Sequence, residues 1–193
     1  MLSGHSDQPK TTPSSVKIVV SGGFGVGKTT FIGAISEIEP LATEAAMTEV
    51  SLDVDDRGRR DEKTETTVAL DFGRITLERS LILYLFGTPG QDRFVFLWDD
   101  LIDGALGAVI VVDTSRIDDC FPVLDYFEEK KTPFVVAVNR FDEERRFALA
   151  EVREALELED WIPLVECDAR DRNSVRDVLV ALLEQVLFHR IAV

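Results

Sequence analysis

Cysteine is nearly absent. Only Cys120 and Cys167 occur in a chain of 193 residues. They form no CxxC pair and have no paired histidines near them, which argues against a redox couple or a zinc site. Each lies in an apolar stretch and reads as a small buried hydrophobe, in keeping with a reducing, cytoplasmic setting. Basic residues are also in deficit, 21 Lys and Arg against 36 Asp and Glu, a formal net charge of −15. That balance argues against DNA, RNA or an anionic membrane surface as a direct partner. It does not exclude a nucleotide, because one focused phosphate site fits inside an acidic surface. No apolar run approaches transmembrane length. The opening segment, residues 1–15, is polar and rich in Ser, Thr and Pro, without the apolar core of a signal peptide. It reads as a disordered tail. The chain starts Met-Leu and ends without a terminal Cys, so neither myristoyl nor prenyl anchoring is signalled. Any membrane recruitment is expected to run through partners.

What is present suits one soluble α/β domain over residues 16–193. The composition is 45% hydrophobic and 30% charged, and the length is enough for a two-sided core without a metal or disulfide staple. Short apolar runs alternate with amphipathic stretches. Strands are predicted at Val16–Ser21, Thr67–Phe72, Leu81–Phe86, Ala108–Asp113, Phe134–Asn139 and Ile162–Glu166. Helices are predicted at about Lys28–Ile38, up to Leu101, Phe121–Glu129 and Ala148–Leu156, and over a final stretch. That last helix has apolar residues at Val175, Val178, Leu179, Leu182, Leu183, Val186 and Leu187, the spacing of one helix face. Ser174 with Asp177 resembles its capping box. The segment from Pro40 to Thr66 reads as a long polar stretch. The second and third strands suggest an antiparallel hairpin, with its turn at Gly73 or near Arg79-Ser80. The expected fold class is a P-loop NTPase fold: a doubly wound, mostly parallel, six-stranded sheet with one antiparallel hairpin strand and about five helices.

Gly22-Gly23-Phe24-Gly25-Val26-Gly27-Lys28-Thr29 fits G-x-x-x-x-G-K-[ST], with a strand before it and a helix after. Glycines let the backbone curl so that successive N–H groups face phosphates, and the helix N-terminus adds partial positive charge. Lys28 would reach the β and γ oxygens, and the Thr29 hydroxyl would ligate magnesium. The base is chosen elsewhere. Asn139-Arg140-Phe141-Asp142 closes an apolar strand at the position of an N-K-x-D loop. A carboxylate at Asp142 accepts from both N1–H and the 2-amine of guanine, which adenine cannot offer. An Asx-capped turn is the bland alternative there. Arg140 replaces the usual Lys, and its long stem can still lie along the base. Asp168-Ala169-Arg170, after the next strand, occupies the place of a loop whose backbone N–H meets the guanine O6.

These residues together resemble a Ras-superfamily small GTPase over residues 16–190. The phosphate loop, Leu85-Phe-Gly-Thr-Pro-Gly-Gln91 and Asn139–Asp142 are more similar still to bacterial MglA-like GTPases, and most of all to the actinobacterial conservon GTP-binding subgroup. The resemblance implies GTP or GDP as ligand, Mg²⁺ as cofactor, and a role as a switch in bacterial signalling. It implies a roadblock-domain regulator and a membrane sensor kinase complex as partners. It assigns nucleotide binding to Gly22, Phe24, Gly25, Val26, Gly27, Lys28, Thr29, Thr30, Gly90, Asn139, Arg140, Asp142, Asp168, Ala169 and Arg170. Thr67 would bind magnesium and the γ-phosphate, Gly90 would donate its N–H to that phosphate, and Gln91 would orient the attacking water. Glutamine is also an ordinary helix-start residue, but the place of Gln91 directly after Pro89-Gly90 favours the catalytic role.

Two departures bear on rate. The acid that usually holds magnesium through water, three residues before the switch glycine, is replaced by Gly87. Magnesium is then expected to rest on Thr29, Thr67, the phosphates and extra water, with Asp113 reading either as a further ligand or as a strand-end cap. Phe24 is bulky where relatives carry a small or polar residue. No arginine immediately precedes Thr67; Arg57, Arg59, Arg60 and Arg93 are candidate arginines for stabilising the transition state, or ordinary solvated loop charges. Slow, partner-stimulated hydrolysis of GTP is the leading expectation. A guanine-nucleotide-binding module with negligible turnover is the alternative, and an ATP-dependent phosphotransferase is a third reading, opposed by Asn139 and Asp142. Phe94, Leu97, Trp98 and Leu101 share a helical face expected to pack on the core, with Val95 and Phe96 facing outward as a partner surface.

Overall fold

The second half of strand β1 (Ser14–Ser21), most of β5 (Ala105–Val112) and all of β6 (Phe134–Asn139) are largely apolar runs buried on both faces, the pattern of a sheet covered by helices on each side. In the computed structural model, residues 14–39, 41–48, 65–77, 81–90, 96–140 and 147–192 are described. They form a seven-stranded sheet in the order β2-β3-β4-β1-β5-β6-β7, with β2 at Leu41–Thr48, β3 at Glu65–Leu77, β4 at Leu81–Gly87 and β7 at Leu164–Cys167. All neighbours pair parallel except β3, which runs antiparallel to both β2 and β4. The expected fold class is therefore the one observed, and the sheet carries one further edge strand.

That strand, β2, lies in the stretch read from sequence as polar. Its run of three Ala and two Thr among eight residues lacks the β-branched alternation that signals a strand. β3 runs straight through Gly73, and Leu77 pairs with Leu81, so the chain reverses between those two leucines and not at Gly73. β1 starts at Ser14, two residues inside the expected tail; residues 1–13 lie outside the described residues.

Side chains alternate across the sheet into two cores. Ile18, Val20, Val109, Val111, Val135 and Ala137 meet helices α1 (Lys28–Ile35) and α5 (Arg172–Ala192). Val19, Ala108, Ile110, Val112, Val136 and Val138 meet α2 (Trp98–Ile102), α3 (Phe121–Glu129) and α4 (Leu149–Ala155). Val175, Val178, Leu179, Leu182 and Val186 of α5 are buried as their spacing predicts, whereas Leu187 is exposed. Gly107 lets that helix come close: a Cβ there would stand 3.0 Å from Leu182 Cδ1 and 2.8 Å from the Pro133 carbonyl oxygen.

The start of α5 differs from expectation. The helix begins at Arg172, and the Asp171 carboxylate accepts from the Asn173 N–H at 3.1 Å. Ser174 is already inside the first turn, and its hydroxyl accepts from the Asp168 N–H at 3.0 Å, so it braces a loop instead of capping the helix. In α2, Trp98 is buried and Phe96, just before it, is exposed, as the helical spacing predicts; Phe94 and Val95 lie outside the described residues.

Candidate functional site

The loop from Gly22 to Gly27 leaves β1 and enters α1 at the C-terminal edge of the sheet, where ligands of open α/β sheets sit. Two of its glycines are fixed by geometry. A Cβ on Gly22 would lie 2.3 Å from the Val111 carbonyl oxygen, so only glycine lets the loop pass against β5. Gly27 has φ 104° at the N-cap of α1, a left-handed conformation that side chains resist. The first turn of α1 thus starts with free N–H groups at the loop's mouth.

Lys28 folds back over this loop. Its Nζ donates to the carbonyls of Gly22 at 2.9 Å and Gly23 at 2.6 Å, and the side chain is buried. Burial lowers its pKa from 10.5 to about 8, partly offset by the Asp71 carboxylate. Gly90 closes the other side. A Cβ there would come within 2.6 Å of Lys28 Nζ and 2.8 Å of the Gly23 carbonyl oxygen, so the segment after β4 rests directly on the loop. A buried Ser21–Thr88 hydroxyl pair at 2.9 Å and the Thr88 N–H on the Val20 carbonyl hold that approach.

A carboxylate from the adjacent strand stands beside Gly87. Asp71 of β3 accepts the Thr29 hydroxyl on Oδ2 at 2.7 Å. A Cβ on Gly87 would stand 2.9 Å from Asp71 Cβ and 3.2 Å from its Oδ2. Glycine at 87 is what leaves room for the carboxylate at 71. Sequence reasoning missed this residue, since strand register across the hairpin is not visible in the chain. Asp113 is a cap and not a partner of Thr29. Its Oδ1 accepts from the Ser115 N–H and hydroxyl at 2.9 and 2.7 Å, at the start of the 3-10 segment Thr114–Cys120.

At the far end of the site Asn139, buried at the end of β6, ties two loops together. Its Nδ2 donates to the Val26 carbonyl at 2.9 Å, and its Oδ1 accepts from the Ala169 N–H at 3.0 Å. The phosphate loop and the loop after β7 are thus one framework. Asp168 is held by Arg170, whose backbone N–H, Nε and Nη2 all donate to it, and these bonds keep the carboxyl below its usual pKa. Arg140 turns its guanidinium to the Glu166 carboxylate and the Phe147 carbonyl.

The chain matches the family described as "Conserved hypothetical ATP binding protein" over residues 20–189. It belongs to that family. An uncharacterized protein of Methanocaldococcus jannaschii is 31% identical over 129 residues, 66% of this chain and 71% of that one. The Ras-related protein SEC4 of Saccharomyces cerevisiae is 24% identical over 194 residues, 96% of this chain and 81% of that one. Among solved structures, the G domain of the T. maritima FeoB iron transporter superposes with a TM-score of 0.61 at 18% identity, covering 89% of this chain and 99% of that one. The FeoB G domain of Methanococcus jannaschii gives 0.59 at 14% identity, covering 89% and 98%. The fold of this family member is that of a Ras-like P-loop G domain.

Not every expected site residue falls within this framework. Gln91, Phe141 and Asp142 lie outside the described residues, as do Arg57, Arg59, Arg60 and Arg93. Thr67 stands on β3, paired with Ala46. Four residues of strand separate it from Asp71, about 13 Å at the usual strand rise. Phe24 sits at the loop apex, exposed. The two cysteines are buried, and burial pushes their thiols up, Cys120 to about 12 and Cys167 to about 11, away from thiolate chemistry.

Proposed function

We propose that this protein is a guanine-nucleotide-binding switch that hydrolyses GTP to GDP and phosphate, slowly when alone and faster with a partner. The observation behind this reading is Asn139, whose two bonds join the phosphate loop to the loop holding Asp168, Ala169 and Arg170, so the Asn139–Asp142 motif starts at the edge of the site. Asp142 follows three residues later, where its carboxylate is suited to the paired N–H donors of guanine. The family description names ATP. A site built around that carboxylate disfavours adenine, whose N1 is an acceptor and which lacks the 2-amine.

The phosphates would lie in the cradle of residues 22–29 with Lys28 Nζ released from its carbonyl partners onto them. Thr29 and Asp71 offer hard oxygen donors 2.7 Å apart, a set that suits Mg²⁺. When bound there, Mg²⁺ would neutralise charge shared by the β- and γ-phosphates. Thr67 would join only after β3 shifts toward the nucleotide, consistent with an exchange between two states. Gln91, directly after Gly90, would orient the attacking water. Asp71 removes one argument for a non-hydrolysing binding module, since the acid lost at Gly87 is replaced. Phe24 at the loop apex remains the feature that keeps turnover low. The similarity to MglA-like and conservon GTPases supports a roadblock-domain regulator as the stimulating partner and a membrane sensor kinase complex as the wider setting.

The test is base exchange. Asp142→Asn presents a donor to the 2-oxygen of xanthine, so GTP affinity is expected to fall about a hundredfold and xanthosine triphosphate affinity to rise. Equal GTP affinity in wild type and variant, by titration calorimetry, would sink the assignment of the guanine loop.

A further inference from the structure

We infer that Arg116 is a positioning residue of the phosphate loop: it fixes the Phe24–Gly25 peptide so that the Gly25 N–H is presented to the terminal phosphates. The inference rests on the proposed nucleotide site and adds to it a residue from a different element. Arg116 lies in the 3-10 segment after β5, where its backbone leaves helical geometry at φ −138°, ψ 48°. Its guanidinium reaches back across 92 residues of sequence, and Nη1 donates to the Phe24 carbonyl at 3.0 Å. Nη2 is paired with the Asp119 carboxylate. Asp119 is itself packed on the loop, its Cβ 2.9 Å from where a Cβ on Gly23 would stand. Asp119 therefore aims the guanidinium, and the guanidinium holds the carbonyl.

A trans peptide carries its carbonyl and the following N–H on opposite edges. A carbonyl held outward on Arg116 therefore turns the Gly25 N–H the other way, toward the inner side of the loop. This orientation needs a hold. Gly25 has φ +76° and follows Gly23 by two residues, so the loop's own preference between the two peptide orientations is weak. The apex borders a cavity of ≈ 400 Å³ lined by Gly23, Phe24, Gly90, Arg116, Asp119 and Pro122 among others. As GTP is cleaved, charge gathers on the oxygen that leaves with GDP, and a fixed N–H donor beside it favours that step over simple binding. In this role Arg116 acts through the Phe24–Gly25 peptide, and so through Gly25.

The experiment compares wild type, Arg116→Ala and Arg116→Lys, with Gly25 amide exchange by NMR read on the GDP complexes and single-turnover cleavage read on GTP-loaded protein. Loss of one charge-assisted bond predicts about tenfold faster Gly25 exchange and about tenfold slower cleavage in Arg116→Ala, with GDP affinity within about twofold. Arg116→Lys keeps one donor able to reach the carbonyl and is expected to recover most of both. Unchanged Gly25 exchange in Arg116→Ala overturns the inference, as does a Lys variant no better than Ala with GDP affinity lost in parallel. A wild type that holds GDP but cleaves no GTP refutes hydrolysis alone, and the exchange comparison still decides the role of Arg116. A wild type that does not bind GDP refutes the nucleotide site and the inference with it.

Discussion

Residues 71 and 87 share one corner of a strand pair. A carboxylate stands beside Thr29 at this edge of the sheet; it comes from Asp71 of β3, and Gly87 on β4 clears its path. On the proposed function, Asp71 takes the place of the acid that usually holds magnesium. Asp71→Ala is therefore expected to raise the Mg²⁺ concentration needed for tight nucleotide binding about tenfold, the scale of one lost charge-assisted contact. Fluorescent GDP titrated against Mg²⁺ reads it, and an unchanged Mg²⁺ midpoint would remove Asp71 from the site. Lys28 gives a pH dependence with a definite sign. In the free protein its pKa is about 8, and bound phosphates, being anionic, raise it. Binding then takes up a proton above that pH, so GDP affinity is flat below about pH 8 and falls by up to tenfold per unit above it. The fold responds oppositely. A lysine whose folded pKa is depressed from 10.5 to about 8 makes the free protein more stable as pH rises through that window. Calorimetry in two buffers of different ionisation enthalpy checks the proton uptake, and a flat affinity from about pH 8 to about pH 9 would contradict it.

At the scale of elements, what is legible in the sequence is what is local. The phosphate loop announces itself through glycine spacing between a strand and a helix. β6 and α3 start and end where their apolar patterns do. Features that depend on pairing across the sheet are not legible. Asp71 reads as one polar residue in a strand until the β3–β4 register sets it beside Gly87, and Arg116 reads as an ordinary loop charge until β5 delivers it to Phe24. The edge strand β2 escapes notice for want of a β-like composition. Ser174 does not cap α5 because Asp171, three residues earlier, caps better and the serine hydroxyl is used by Asp168. The core on the α5 side carries its own prediction. Leu182 is fully buried against Gly107 of β5, so Leu182→Ala should cost about 2–5 kcal/mol of stability, with the cavity term included. Urea unfolding measures it, and a loss below about 0.5 kcal/mol, within the range of surface substitutions, would mean that α5 does not anchor the sheet as described.

For the whole molecule, an acidic chain of net charge −15 gathers Lys28 and the glycine-loop N–H groups at one sheet edge, so any attraction for phosphate is local and not a property of the surface. Among the described residues no helix is long and apolar enough to cross a membrane. On the proposed function, the framework joining that edge to Asn139 and the Asp168–Arg170 loop is where one base is read. The family description points to ATP and the residues point to guanine, and the two are separated by one measurement. Titration calorimetry of the nucleotide-free protein with GDP and with ADP, at matched Mg²⁺, compares the bases directly. The account predicts that GDP binds at least about a hundredfold more tightly than ADP, the discrimination that unpaired hydrogen-bonding groups can supply. Equal affinities, or ADP the tighter, would contradict it.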